Sequence, residues 1–464
     1  MTTYDYVIVG AGSAGCVLAN RLSANPAHRV LLLEAGGRDW NPLIHMPAGI
    51  ARLASNRRVN WNYRTEPQPA LLDRRLWWPR GKTLGGSSAI NAMCYVRGVP
   101  ADYDGWAAAT GDPRWGWPQV LPWFLLSEDN SRGASALHNV GGLLGVSDLR
   151  HHNVLSAALV DAAASAGHAR RADFNDTEQA GFGLYQVTQR DGARCSAATA
   201  FLQPARPRAN LHVRTHALVE RVLLDRNRAI GVQFRRSRHA VERIEAGQVI
   251  LAAGAINTPQ LLMLSGIGPA THLREHGIDV HVDLSSVGDN LQDHLDICTL
   301  DGSTQNITYD HLNEMAAAWR WLRHRDGPGS SNVAEAGGFV RSALAEDARC
   351  DLQFHFVPAL LDDHGRHRLP GRGYTLHACH LHPHSRGRLR LRSADPAQPI
   401  AIHAGYLSDP GGSDLQRMIL AARLSREILD QSAFDACRGA PVFPEQRLTT
   451  DAQYADFIRR KAET

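Results

Sequence analysis

The first residues able to do chemistry are three glycines and an acid. Gly10-Ala-Gly12-Ser-Ala-Gly15 follows the short apolar β-branched run Tyr4 to Val9 and leads into Cys16-Val-Leu-Ala-Asn-Arg-Leu at helical spacing. The spacing assigns the glycines separate tasks: a tight turn, close backbone approach to a pyrophosphate, and close helix–sheet packing. The helix start then offers unpaired N–H groups to phosphate. A second apolar run, Arg29-Val-Leu-Leu-Leu-Glu34, ends in an acid nineteen residues past Gly15. A carboxylate there accepts both ribose hydroxyls of a dinucleotide and repels a 2′-phosphate, which selects FAD or NAD over NADP.

A second segment bears on which dinucleotide is meant. Gly81-Lys-Thr83-Leu-Gly85-Gly86-Ser-Ser-Ala-Ile90-Asn91-Ala-Met-Cys-Tyr-Val-Arg-Gly98 starts as a loop whose backbone can face a ligand. A plain Gly/Ser linker would not run straight into an apolar segment. This stretch resembles the first signature of the glucose-methanol-choline (GMC) family of FAD-dependent oxidoreductases. Gly254-Ala-Ile-Asn-Thr-Pro-Gln-Leu-Leu-Met-Leu-Ser-Gly-Ile-Gly268 resembles the second, and Val287-Gly-Asp-Asn-Leu-Gln-Asp-His294 a further family stretch.

The resemblance implies an α/β architecture, a Rossmann-like FAD-binding domain interleaved with an α+β substrate domain built on an antiparallel sheet. By position the first would take residues 1–297, with interleaved cap segments, and the second 298–464. Gly10, Gly12, Gly15 and Glu34 would hold the dinucleotide, Thr83, Gly85, Gly86 and Asn91 the flavin end, and Val219 the adenine through its backbone. Family members with a tethered flavin carry His where this chain has Ile90, so FAD is expected to be non-covalent. Asn41-Pro-Leu-Ile-His-Met-Pro47, Ser331-Asn-Val-Ala-Glu-Ala-Gly-Gly-Phe339 and Leu352-Gln-Phe-His-Phe-Val-Pro358 resemble acceptor-linked aliphatic alcohol dehydrogenases, with choline dehydrogenases as the alternative. The implied reaction is hydride transfer from an alcohol carbon to flavin, with electrons passed to a quinone or other acceptor. An NAD-dependent dehydrogenase fits the two long signatures less well.

In the family the base is a His in a His-Pro-x-Gly-Thr-like motif, with an Asn or His partner further on. None of the 23 His here is followed by Pro-x-Gly-Thr. The expectation is therefore that the catalytic His and its partner lie beyond Thr464, and that the chain, truncated in its C-terminal part, is inactive. A flavin-binding remnant without turnover is the corresponding non-enzymatic alternative.

Several other residues invite a role. Glu335 could hold a quaternary ammonium together with aromatics, for which the family resemblance alone points to Trp61 and Tyr63, or merely pair with an arginine. His377-Ala-Cys-His380-Leu-His382-Pro-His384 suggests a metal cluster, but Pro383 interrupts the strand that would align it. No metal is expected, and the segment reads as an edge of the substrate sheet, turning at Ser385-Arg-Gly387 into Arg388-Leu-Arg-Leu-Arg392. Residues 311–325 read as an amphipathic helix carrying Trp319 and Trp321, and Trp77-Trp78 as packing.

Composition sets the limits. The chain has 464 residues, 44 % apolar and 21 % charged, which excludes disorder, collagen and coiled coil. Fifty Lys+Arg against 46 Asp+Glu give a formal charge of +4, too little for a nucleic-acid-binding field. Seven scattered Cys without a C-x-x-C pattern read as reduced thiols of a cytoplasmic protein. The start lacks the basic and apolar regions of a secretory leader. No apolar run reaches spanning length, which leaves peripheral contact with the inner face of a membrane open.

Overall fold

The computed structural model describes residues 3–236, 240–363, 365–367 and 369–464. Two six-stranded sheets organise the chain. In the first, Tyr4–Val9 lies between Val30–Leu33 and Val241–Leu251, with Leu211–Arg214 outside Val30–Leu33, and all four run parallel. Val30–Leu33 is buried along its whole length, as a parallel strand covered on both faces must be. The antiparallel strands Arg228–Arg235 and Leu218–Asp225 extend the other edge.

Helix Ser13–Leu22 follows the first strand directly. A Cβ on Gly15 would lie 1.8 Å from the Gly10 carbonyl oxygen, so only glycine lets the helix lie this close to the turn.

The second sheet is antiparallel, in the order Arg438–Phe443, Asp296–Ser303, Gly373–His380, Leu352–Val357, Ala336–Val340, Gly181–Leu184. Period-two alternation separates its faces. Phe354, Phe356, Tyr374 and Leu376 enter the largest core, with Phe434 and Ile428 from the covering segment. The alternate residues His355 and His377, opposite each other in register, face a cavity instead.

The division at residue 297 falls inside strand Asp296–Ser303, and Gly181–Leu184 from the first part of the chain completes the second sheet. The two sheets thus interleave along the sequence. Arg388–Arg390 pairs only with Ala401–His403, so it forms a small separate ribbon and not an edge of the large sheet. Its alternation is as expected, with Leu389 and Leu391 buried. The amphipathic helix spans Glu314–His324; Trp321 is buried and donates to the Gly192 carbonyl, while Trp319 is 67 % exposed. No helix among the described residues is long and apolar enough to cross a membrane.

Candidate active site

Two cavities meet at Arg80 and Ser87. The first, about 730 Å³, lies at the C-terminal ends of the parallel strands, where open α/β sheets bind ligands. Gly10, Gly12, Glu34, Gly86 and Val219 line it, with the first turn of the helix at Ser13 and Ala14. No side chain caps that helix. A Cβ on Gly12 would meet nothing within 4 Å, so open space stands before the helix start. Gly86 closes over it: a Cβ there would sit 2.7 Å from the Gly12 Cα.

Glu34 is buried at the end of its strand. Its Oε2 accepts the Ala11 N–H at 2.9 Å and its Oε1 the Gly36 N–H at 2.7 Å. Each carboxylate oxygen can accept a second hydrogen bond, and Glu34 lines the cleft. Burial pushes the carboxyl up to about 7, against the pull of those two N–H groups and of Lys82. An open space at a helix N-terminus and a buried acceptor at the neighbouring strand end suit pyrophosphate and ribose, so these residues fit a dinucleotide.

Three of the residues singled out for cofactor contact stand behind the wall of this cleft. Gly15 packs helix on turn. Thr83 is buried, its hydroxyl donating to the Gly37 carbonyl at 3.1 Å. Gly85, at φ +89°, donates its N–H to the Ala11 carbonyl and ties the second loop to the first.

The second cavity, about 1440 Å³, begins at Ile90 and Asn91 and runs between helix Glu314–His324 and the free face of the second sheet. Leu43, Met46, Ile50, Leu312, Val357 and Leu361 give it apolar walls. Asn91 is fixed, not loose: its Oδ1 accepts from Arg194 at 2.9 Å and from the Met93 N–H at 3.2 Å. Four histidines line the space, His311, His355, His367 and His377, and two of them, His355 and His377, stand on the sheet. Burial lowers His355 to about 4, so it is neutral. Burial opposes charge on His377 as well, but Asp296, hydrogen-bonded at 2.6 Å, outweighs it and raises His377 above the ordinary value.

Neither substrate candidate reaches the second cavity. Glu335 is fully buried, and its carboxylate accepts from the Asn153 N–H, Ser156, Tyr309 and Ser331, at 2.5–2.7 Å. That corrects its reading as a pocket carboxylate: it ties three chain segments together. Trp61 lines the first cleft, stacked on Tyr63 at 5.8 Å and covered by the Lys82 ammonium at 4.3 Å.

Sequence reasoning missed Arg194. It is 2 % exposed, and burial lowers it to about 9. Its guanidinium donates to the carbonyls of Ile44, Ser88 and Asn91. No local pattern announces it. His355 and His377 were within reach, because alternation along Leu352-Gln-Phe-His-Phe-Val and Gly373-Tyr-Thr-Leu-His377 places both opposite the core face.

A Rossmann-type cleft opening onto a second, apolar cavity defines a dinucleotide-dependent oxidoreductase that acts on a substrate held beside its cofactor. Family profiles described as GMC oxidoreductase match residues 4–296 and 383–464. The chain belongs to the GMC oxidoreductase family. It is 47 % identical to "Alcohol dehydrogenase [acceptor]" of Pseudomonas putida, over 99 % of this chain and 84 % of that protein. It is 40 % identical to "Choline dehydrogenase, mitochondrial" of Homo sapiens, over 99 % and 79 %. Among solved structures, pyridoxine 4-oxidase from "Mesorbium loti" superposes with a TM-score of 0.89 at 32 % identity, over 99 % of this chain and 87 % of that one. The GMC oxidoreductases and such structural neighbours are FAD-binding flavoproteins.

One expectation is corrected here. The C-terminal family profile matches residues 383–464, so the C-terminal part of the family is represented in this chain. The reading of it as missing, and of the chain as truncated and inactive, is not borne out.

Proposed function

We propose that this protein is an FAD-dependent alcohol dehydrogenase that takes aliphatic alcohols and passes their electrons to a quinone or another acceptor. The observation that carries this reading is the junction of the two cavities. The cleft that fits a dinucleotide opens at Arg80 and Ser87 onto an apolar chamber, which Ile90 and Asn91 line. FAD, when bound, supplies the hydride-accepting chemistry.

The chain's own residues bind and orient. Glu34 accepts the ribose hydroxyls, the helix start at Ser13 receives the pyrophosphate, and the Val219 backbone meets the adenine. Ile90 offers no nucleophile, so attachment is non-covalent. Neutral His355 accepts a hydrogen bond from a hydroxyl at the chamber wall, which turns the alcohol carbon toward the junction. The apolar walls take the alkyl chain and exclude water.

A quaternary ammonium finds little here. The carboxylates at the chamber wall are engaged: Asp296 with His377, Asp310 with the Leu360 and Gly373 N–H groups, Glu314 with Arg52. The aromatic pair Trp61–Tyr63 stands in the other cleft. Peripheral membrane contact has support in helix Glu314–His324, which borders the chamber and exposes Met315, Trp319 and Leu322 beside Arg323.

The test uses the purified chain, a dye acceptor, and 1-octanol against choline. Faster dye reduction with 1-octanol is expected, and faster reduction with choline overturns the aliphatic reading. Acid precipitation of the same protein should leave all yellow colour in the supernatant; colour in the pellet overturns the non-covalent assignment.

A further inference from the structure

At one end of the free face of the second sheet, four different donors converge. Asp296 and Cys298 are two apart on one strand and so share a face. His377 stands directly opposite Cys298 on the neighbouring strand. Glu463, just beyond helix Asp451–Lys461, is brought in by two backbone hydrogen bonds with Asp296, at 2.8 and 2.9 Å. One ligand atom from each of the four lies within 4.8 Å of all the others. The Cys298 sulfur is 3.1 Å from His377 Nδ1 and 3.3 Å from Glu463 Oε1, and His377 Nδ1 is 2.6 Å from Asp296 Oδ2.

We propose that Asp296, Cys298, His377 and Glu463 form a closed binding site for one divalent cation of borderline softness, of the Zn²⁺ or Co²⁺ type. The donor set selects the class. A thiolate and an imidazole favour Zn²⁺ and Co²⁺ over the oxygen-seeking Mg²⁺ and Ca²⁺. Bonds of about 2.0–2.3 Å in a tetrahedron place donor atoms roughly 3.3–3.8 Å apart. The Cys298–Glu463 separation of 3.3 Å meets that range, the Cys298–His377 separation of 3.1 Å falls just under it, and the His377–Asp296 pair at 2.6 Å must part by side-chain rotation to admit a cation.

A second observation points the same way. Asp296 Oδ1 is buried without a hydrogen-bond partner, an orphan acceptor inside the cluster. Two carboxylates beside a buried thiol are costly without a cation: burial first, and then the charges of Glu463 and Asp296, hold the Cys298 thiol well above its ordinary range. A dication reverses that balance by taking the thiolate directly.

Four protein ligands leave no open position, so the ion would be structural. It pins the segment after helix Asp451–Lys461 to the sheet and fixes the wall of the second cavity, which both Asp296 and His377 line. It also occupies His377 Nδ1, which leaves His355, its neighbour on the sheet, as the imidazole of that face without a metal.

The experiment titrates the chelator-treated full chain with Co²⁺, then displaces it with Zn²⁺. One equivalent should bind with a thiolate-to-cobalt charge-transfer band that Zn²⁺ abolishes. Cys298→Ser should remove the band, and Glu463→Gln should weaken binding at least tenfold. Zn²⁺ should raise the melting temperature of the unsubstituted chain more than that of Glu463→Gln. The proposal is overturned if no stoichiometric cobalt binds, or if Cys298→Ser keeps the band through another cysteine. If Cys298→Ser fails to fold, Glu463→Gln decides: unchanged cobalt affinity there overturns it. The readouts need no flavin, so they stand apart from the alcohol assay.

Discussion

Replacing Arg194 by Met should both destabilise the protein and loosen its hold on flavin. The change keeps the apolar stem and deletes a guanidinium that is buried with no carboxylate partner among the described residues. Three main-chain carbonyls lose their donor: Ile44 at 2.8 Å, Ser88 at 3.1 Å and Asn91 at 2.8 Å. A fully buried carbonyl left unsatisfied costs about 1–3 kcal/mol; the bond to Ile44 is buried and those to Ser88 and Asn91 are part-buried, so the gross loss is about 6 kcal/mol. Removing an unpaired buried cation returns several kcal/mol of desolvation. Setting about 3 kcal/mol of recovered desolvation against a gross loss of about 6 leaves a net loss of about 3 kcal/mol. With an unfolding entropy of about 2 cal/mol/K per residue, a chain of 464 residues shifts by about 1 °C per kcal/mol, so the melting temperature should fall by about 3 °C. The loop that Arg194 grips includes Ser87, where the two cavities meet. If reordering that loop costs as little as about 1.4 kcal/mol, FAD affinity drops about tenfold. Arg194→Lys should fall between, because one ammonium cannot span three carbonyls. The assay is thermal melting of the flavin-free chain beside an FAD titration. A Met variant melting within about 1 °C of the parent with unchanged flavin affinity would refute the clamp.

Two further outcomes follow from the cleft. Gly12→Val should keep the parent's melting temperature, since its Cβ meets nothing, yet lose flavin, because the side chain stands where pyrophosphate must approach; Gly15→Val should fail to fold, with its Cβ driven into the Gly10 carbonyl. Circular dichroism melts beside flavin content separate the two, and equal folding of both variants would sink the assignment. Glu34 sets the pH dependence: ribose hydroxyls donate to its ionised form, so FAD affinity should be full above about pH 7 and fall by up to tenfold per unit below it. In the flavin-free chain the sign is opposite, because the folded state keeps a proton that the unfolded state has lost, and stability should decline as pH rises from about 4.5 to 7. Glu34→Gln should flatten both profiles; a Gln variant with the parent's slopes would show that another group titrates.

What could be read from the chain followed how local each constraint is. Gly10, Gly12, Gly15 and Glu34 could be grouped from the sequence because a single strand–turn–helix–strand unit holds all four; Gly15 answers a contact with Gly10 inside that unit and Gly12 keeps open space before its helix, although the close contact at Gly10 comes from Ala252, far along the chain. Glu335 was misjudged for the opposite reason. Val333 and Ala334 do line the chamber, with Val333 at φ 70°, and the next residue turns inward to Ser156 and Tyr309. Only the fold shows that those partners, from far along the chain, wait on that side. Arg194 and Glu463 share this property, since their partners lie 150 and 165 residues away at Ile44 and Cys298. His377 lies between the extremes. Alternation assigns it to the face away from the core, but the choice between the His377–His384 run and the Asp296–Cys298 pair depends on strand register. That register places Cys298 opposite His377 and ends the strand at His380, so His382 and His384 fall outside it. Chemistry that depends on pairing between distant strands therefore becomes visible only when the sheet is assembled, whereas chemistry carried by one turn is written where the turn is.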